Sequence, residues 1–195
     1  MAWQYRKRTD GKINVALDNN VWNFLFDRKL NLASELPSNE FAIFIPREIE
    51  IETEAIPVKE SKAPLKEYIA RTIAECGIKT EWVFGFATEG SGPQRRGGFG
   101  QGTWQGKTES EFYAAIRQRF LVGQTEMGSQ LARNEGDAAV AAKSFSSVVL
   151  TCESRKVSGP LRFASEHGGA ILYLDTFDGG GQTLKEFVTG YYQSL

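Results

Sequence analysis

Two segments of the chain each carry a short run of apolar and β-branched residues that leads into an acidic residue. Residues 13–17 precede Asp18, and residues 147–152 precede Glu153. Apolar runs of this length between polar flanks are typical of buried strands in a parallel sheet. Because ligands of open α/β sheets bind outside the carboxyl ends of the strands, both carboxylates are expected at one functional edge.

The rest of the chain alternates between helical and strand-like patterns. Strands are predicted for residues 41–45 and 82–86, and helices for residues 21–36, 64–76, 112–121 and 184–192. Gly77 is placed to end one helix, and Thr108 and Glu111 form a capping box before another. This alternation predicts a single α/β domain over residues 1–195, a three-layer α/β/α sandwich around a mainly parallel sheet.

Residues 88–107 differ from the rest of the chain because glycines crowd this segment. Such glycine density argues against regular structure and predicts a flexible insertion. The segment also contains Arg95, Arg96, Phe99 and Trp104, residue types that pair with phosphate or stack on bases. It is therefore a candidate RNA-binding tract or, equally, an ordinary flexible insertion with incidental charge.

The composition is that of an ordinary globular protein, with 41% hydrophobic residues and a formal net charge of −1. A nearly neutral chain argues against a role in coating nucleic acid. Cys76 and Cys152 lack the spacing of a zinc site, so both are expected to be reduced thiols. The sequence shows neither a bilayer-length apolar run nor a signal peptide, so we expect a cytoplasmic protein with no membrane partner.

Carboxylates at one sheet edge are suited to binding a hard divalent cation. Mg²⁺ and Mn²⁺ prefer carboxylate and water oxygens, and they neutralise a phosphate group while activating water. Besides Asp18 and Glu153, a third candidate, Asp137, opens a helix-like run just upstream of the second strand. The pattern therefore favours a metal site.

The motifs that carry these acids resemble those of a known family. Residues 134–142 (NEGDAAVAA), followed by residues 148–153 (VVLTCE), resemble the C-terminal half of a PIN domain. The apolar strand that ends at Asp18, followed by Asn19 and Asn20, resembles the N-terminal signature of the same family. The resemblance spans roughly residues 13–174. PIN domains are small metal-dependent nucleases, found in the toxins of toxin–antitoxin pairs and in RNA-processing factors.

The resemblance implies an endoribonuclease that hydrolyses RNA phosphodiester bonds through a metal-activated water. The residues that it implies as both catalytic groups and ligands of Mg²⁺ or Mn²⁺ are Asp18, Glu52, Asp137 and Glu153. Glu153 stands where the family has an aspartate, and its extra methylene moves the carboxylate by about 1.5 Å, so contact through water is an alternative to direct ligation. Thr151 is expected to orient one of the carboxylates through a hydrogen bond.

The second acidic position has two interpretations. Glutamates alternate at positions 48, 50, 52 and 54, which by period alone predicts a half-buried strand with a charged face. The resemblance instead implies a helix after Pro46, in which Glu48 and Glu52 share one face. Its alignment favours Glu52 as the ligand, with Glu48 as the alternative.

Simpler structural roles are open to several of these residues. Asp18 and Asp137 could each cap the helix that follows, since aspartate is a favoured N-cap residue. His167 is the single histidine, which excludes an HExxH zinc site, and we expect it at a helix C-terminus rather than as a general base.

The leading hypothesis is a metal-dependent nuclease with RNA as its substrate. An antitoxin protein and a second copy of the chain are further candidate partners, although compact PIN toxins are usually shorter than 195 residues. Glu153 in place of aspartate favours the alternative, a catalytically inactive PIN-like module that binds RNA or a protein. A haloacid-dehalogenase-like phosphatase is disfavoured, because Asn20 occupies the position where those enzymes need a second acid.

Overall fold

The computed structural model describes residues 3–84, 93–97, 102–103, 106–121, 129–178 and 180–195. Strands β1 to β7, in chain order, are Ile13–Leu17, Phe41–Pro46, Lys79–Phe84, Arg96–Gly97, Gly102–Thr103, Val148–Thr151 and Ile171–Tyr173. Helices α1 to α8 are Val21–Asp27, Leu32–Glu35, Arg47–Glu54, Ala63–Cys76, Lys107–Phe120, Glu135–Lys143, Pro160–Glu166 and Leu184–Ser194. Two short 3₁₀ helices, Glu60–Lys62 and Leu174–Thr176, complete the described elements.

The strands form one parallel sheet in the order β4-β3-β2-β1-β6-β7, and β5 also pairs with β3. In the register of the central strand, Val15 lies opposite Ile43 of β2 and Val148 of β6. The helices cover the sheet to give a three-layer α/β/α sandwich. The fold class predicted from the sequence is therefore confirmed.

The central strands are buried, which explains why their sequences are continuous apolar runs. Val15 and Leu17 of β1 and every residue of β6 are inaccessible to solvent. Aromatic side chains outside the sheet are buried just as completely, among them Trp22 and Phe112. Burying one such side chain contributes roughly 1.5–3 kcal/mol to the free energy of folding. The strand ends that carry the acids therefore extend from a well-packed core.

Residues 48–54 are helical, and the strand interpretation of this segment is wrong. Helix α3 begins directly after β2, with Pro46 as its N-cap. The apolar pattern is misleading because α3 contacts β2, β3 and α6 on different sides. Ile49 and Ile51 are therefore both buried, although two residues this far apart do not share a helix face.

The single helix expected over residues 21–36 is divided in two. Helix α1 ends at Asp27, and α2 begins at Leu32. Between them, Lys29 has a φ angle of 53°, a left-handed conformation that a continuous right-handed helix does not contain. Hydrophobic spacing did not reveal this break because both helices turn apolar residues toward the same core.

The ends of the other helices agree with the sequence in part. Gly77 ends α4 in the left-handed conformation, with a φ angle of 60°, as predicted. The capping box predicted at Thr108 and Glu111 is wrong, because the N-cap of α5 is Gly106, two residues earlier, and no side chain caps this helix. A capping box is present instead at Thr183, the N-cap of α8.

Part of the glycine-rich segment forms regular structure, contrary to the pattern-based expectation. β4 and β5 both pair in parallel with β3. A Cβ atom on Gly97 would lie 2.8 Å from the backbone nitrogen of Gly102, so glycine permits a close approach of strands here. Residues 88–92, 98–101 and 104–105 of the predicted flexible insertion lie outside the described residues. These ranges include Phe99 and Trp104.

Three smaller expectations concern single residues and the membrane. Cys76 and Cys152 are unpaired and partly buried, as expected of reduced thiols. His167 is the C-cap of α7, and its Nδ1 lies 2.7 Å from the carbonyl oxygen of Phe163, as predicted for a helix C-terminus. Within the described ranges, no helix has both the length and the apolar character needed to cross a bilayer.

Candidate functional site

Strand order reverses at β1, which makes the carboxyl end of this strand a natural binding crevice. From β1 the chain builds β2 and β3 on one side, and β6 and β7 later fill the other side. The connections that leave β1 and β6 therefore diverge, and open α/β sheets bind ligands in the crevice between such strands. Asp18 directly follows β1, and Glu153 lies two residues beyond β6.

Asp18 is only 2% exposed, and both oxygens of its carboxylate accept hydrogen bonds. Its Oδ2 accepts hydrogen bonds from Thr151 Oγ1 and from Asn20 Nδ2, both at 2.6 Å. Its Oδ1 accepts one from the backbone N–H of Asn19 at 2.7 Å. The carboxylate does not cap α1, whose N-terminus has no side-chain cap, so the simpler structural role proposed for Asp18 does not hold.

Asn20 and Thr151 join the two strand ends into one unit. The Oδ1 of Asn20 accepts a hydrogen bond from the backbone N–H of Cys152 at 2.8 Å. The Oγ1 of Thr151 accepts one from the backbone N–H of Glu153 at 3.0 Å while donating to Asp18. The hydrogen bond predicted from Thr151 to one of the carboxylates is present. The sequence did not lead us to this role of Asn20. The pattern that could have indicated it is a carboxamide side chain two residues after an aspartate at a strand end.

The charges of this cluster are compensated poorly by the protein itself. Burial raises the pKa of Asp18, although the hydrogen bonds from Thr151, Asn19 and Asn20 oppose the rise. Burial and the charge of Asp18 both raise the pKa of Glu153. No ion pair between described residues involves either carboxylate. Neutral donors alone hold this negative charge, so a bound cation would stabilise it.

Cys152 lies between the two strand ends but is not a candidate nucleophile. Burial, followed by the charge of Asp18, raises the pKa of the Cys152 thiol to about 11. Since the thiolate is the reactive form, the side chain is unreactive at neutral pH.

Glu52 and Asp137 lie on two helices that contact each other, α3 and α6. The Glu52 carboxylate packs against Gly136, so closely that a Cβ atom there would lie 2.2 Å from Glu52 Oε1. Asp137 is the next residue, in the first turn of α6, whose N-cap is Asn134. Asp137 is thus not the cap of its helix.

Helix α3 is tied to the crevice by one further hydrogen bond. The Oγ1 of Thr53 donates to Asn19 Oδ1 at 3.3 Å and to the carbonyl oxygen of Ile49 at 2.8 Å. This hydrogen bond brings the C-terminal half of α3 to the residue that follows Asp18. The Glu52 side chain itself is placed against Gly136, and its role as a metal ligand stays a prediction.

Glu48 lies in a different environment from Glu52. It lines a small cavity together with Arg96, Tyr113 and Lys143. Burial raises the pKa of Glu48, as does the charge of Glu135, whereas Arg96 and Lys143 lower it. Its charged neighbours belong to the β3 side of the sheet and do not include Asp18, which argues against Glu48 as the alternative ligand.

The carboxylates at this edge suit a divalent cation that keeps part of its water shell. Where the structure describes the chain, no group of three His, Cys, Asp or Glu side chains is placed to hold a metal ion. Mg²⁺, however, is commonly held by only one or two carboxylates, together with water and substrate phosphates. The pair Asp18 and Glu153 fits that requirement, with Glu52 and Asp137 on neighbouring helices.

Comparison with known proteins adds no relative. No protein-family model, no curated protein and no solved structure matches the chain.

Proposed function

We propose that this protein is a PIN-like, divalent-metal-dependent endoribonuclease whose ion binds at Asp18 and Glu153. One observation carries the proposal: Asp18 is a buried carboxylate at the point of strand reversal, and all its hydrogen-bond donors are neutral. A buried carboxylate without a compensating cation is costly unless a ligand supplies the positive charge. The motif resemblance around Asp18, Asp137 and Glu153 supports the same function.

In this proposal, Asp18 and Glu153 hold Mg²⁺ or Mn²⁺, and Glu52 and Asp137 act from α3 and α6. The ion would neutralise the scissile phosphate and activate water. Thr151 and Asn20 keep the Asp18 carboxylate in one orientation, because each donates a hydrogen bond to its Oδ2. A cytoplasmic location, an antitoxin partner and a homodimer belong to the same proposal.

A second candidate function is an inactive PIN-like module that binds RNA or a protein without cleaving it. Two observations favour it: among the described residues no three acidic side chains form a ready metal cluster, and Glu153 replaces the expected aspartate. The Asp18 and Glu153 pair favours the active form, since an inactive module has no need to keep two poorly compensated acids together.

The deciding experiment is cleavage of labelled single-stranded RNA in Mn²⁺ by the wild type, Asp18→Asn and Asp137→Asn. Asp27→Asn is the matched control, because Asp27 is exposed at the end of α1. We expect the first two variants to lose activity on the order of a thousandfold, equivalent to about 4 kcal/mol of transition-state stabilisation. The control should cleave as the wild type does.

Thermal unfolding separates metal binding from catalysis. Millimolar Mn²⁺ should raise the melting temperature of the wild type and of Asp27→Asn, but not that of Asp18→Asn. A wild type that shows neither a metal-dependent shift nor cleavage contradicts the nuclease proposal. A metal shift without cleavage favours the inactive module.

A further inference from the structure

A second polar region lies beside helix α5. A groove of about 630 Å³, here termed the α5 groove, is lined by Arg96 of β4 and by Tyr113, Arg117 and Gln118 of α5. Arg117 and Gln118 are exposed, and Arg96 and Tyr113 are half-buried. The groove therefore combines two guanidinium groups with neutral hydrogen-bonding side chains.

The two arginines of the groove differ from the neighbouring Arg95. Arg95 is bound to the structure, because its Nε lies 2.5 Å from Glu135 Oε1 and its Nη1 donates to the carbonyl oxygen of Pro93 at 2.9 Å. None of the ion pairs between described residues involves Arg96 or Arg117. Of the two arginines in the glycine-rich segment, Arg96 is thus the one placed to bind a ligand.

The acidic residues near the groove are not part of its lining. Glu135 is paired with Arg95. Glu48 lines the small enclosed cavity on the buried side of Arg96 and Tyr113, only 9% of it being exposed. Among the described residues, the lining of the groove thus contains two arginines and no acidic residue. Guanidinium groups match phosphate oxygens in geometry as well as charge.

The groove opens at the same edge of the sheet as Asp18. Glu81 of β3 pairs with Pro46, the last residue of β2, and Val83, two residues further on, pairs with Arg96. Arg96 therefore lies beyond the carboxyl end of β2. Helix α3 connects the regions, since Glu48 lies beside the groove and Thr53 bonds to Asn19. The two residues are five positions apart, which is roughly 8 Å along the helix.

We propose that the α5 groove binds the phosphate backbone of a single-stranded RNA whose scissile bond lies at the Asp18 crevice, an inference that rests on the proposed nuclease function. A strand with a phosphate at every nucleotide can contact Arg96 and Arg117 and still reach the acidic site along the same sheet edge. An acidic peptide could pair with the arginines, but it has no group for the acidic site.

The test is fluorescence anisotropy of a labelled, single-stranded oligoribonucleotide with the full chain in EDTA, over a range of salt concentrations. The double variant Arg96→Ala/Arg117→Ala should bind at least about tenfold more weakly. The slope of log affinity against log salt should fall by about 1.4, at ~0.7 per phosphate contact. Arg96→Lys/Arg117→Lys should retain most of the slope, which shows that charge and not folding is responsible.

The matched control is Arg71→Ala/Arg162→Ala, which removes the same charge from the exposed faces of α4 and α7. Equal loss of affinity and slope in this control would contradict the groove, as would equal displacement of the RNA by a polyglutamate peptide of the same charge. Arginine-dependent binding without any metal-dependent cleavage would support the groove and contradict the nuclease. Metal-dependent cleavage by the wild type, together with unchanged RNA binding by Arg96→Ala/Arg117→Ala, would support the nuclease and contradict the groove.

Discussion

Two acidic clusters in this protein are stabilised in opposite ways. At the strand-reversal crevice, neutral donors alone hold Asp18, and Glu153 adds like charge. Between α5, α6 and β3, the buried Lys143 lies 2.8 Å from Glu81 and 3.4 Å from Glu109. Among the residues that the structure describes, the first cluster thus has no cation of its own, whereas the second contains Lys143.

The pKa of Lys143 shows that the charges of the second cluster are balanced by the protein itself. Burial lowers it, but the charges of Glu109 and Glu81 more than reverse that effect, so the net pKa is raised and the ammonium stays charged. A complete set of this kind needs no ligand and serves the fold. An acidic cluster without its own cation is therefore the better guide to function, although each cluster contains a buried carboxylate, Asp18 in one and Glu109 in the other.

The largest effect is expected from removing the internal cation. Lys143→Met leaves Glu81 and Glu109 without their partner and should lower the free energy of unfolding by about 3–5 kcal/mol. Urea denaturation measures this change. Adding Glu81→Gln and Glu109→Gln to the variant should recover most of the loss, and a cost below about 1 kcal/mol for the single variant would mean that the network is not compensated as described.

The neutral donors of the other cluster can be tested at Thr151. Thr151→Val keeps the shape of the side chain but removes the hydrogen bond to Asp18, and should cost about 1–3 kcal/mol in urea denaturation. Cleavage should fall with it, because the carboxylate loses its fixed orientation. Thr151→Ser, which keeps the hydroxyl, should restore both quantities, and a valine variant with wild-type activity would argue against an orienting role.

The charge of Glu48 is compensated in part. Burial makes the net shift of its pKa upward and Glu135 adds to the rise, whereas Arg96 and Lys143 lower the pKa. Because its folded-state pKa is raised, its contribution to stability is present below the usual carboxyl range and is lost as pH rises. Glu48→Gln should therefore stabilise the protein by roughly 1 kcal/mol at neutral pH, the scale of many single substitutions. Urea denaturation between pH 4 and 8 checks this, and an advantage that shrinks as pH rises would contradict it.

The smallest effect on stability is expected at Gly136, where a substitution displaces the Glu52 side chain and leaves the fold intact. Gly136→Ala displaces the flexible end of Glu52 and should change the free energy of unfolding by no more than about 1 kcal/mol. RNA cleavage should nevertheless fall if Glu52 acts at the site. Gly190→Ala in α8 is the control, because a Cβ atom there has open space, and unchanged cleavage in both would remove Glu52 from the proposal.

Features that depend on one strand end could be predicted from the sequence. Parallel strands bring their carboxyl ends to one edge, so the nearness of Asp18 and Glu153 followed from two apolar runs and a fold class. The hydrogen bond from Thr151 to Asp18 followed from the same argument. These inferences needed no knowledge of loop conformation.

Features that depend on partners distant in the chain could not be predicted. Glu48 and Glu52 are one helical turn apart, and only the packing of α3 against Gly136 and the Arg96 region distinguishes them. Adjacent Arg95 and Arg96 likewise differ because Glu135, 40 residues away, pairs with only the first. Local sequence contains no signal for such choices.

The bond between Thr151 and Asp18 joins residues 133 positions apart, and this separation has a kinetic consequence. Contacts between such distant residues form late, because the intervening chain must first be ordered. The crevice cannot exist while β6 is unfolded or not yet synthesised, however well the earlier strands are formed. A growing chain would thus lack the crevice until β6 had left the ribosome, and the rate at which the proposed activity appears on refolding would report docking of β6.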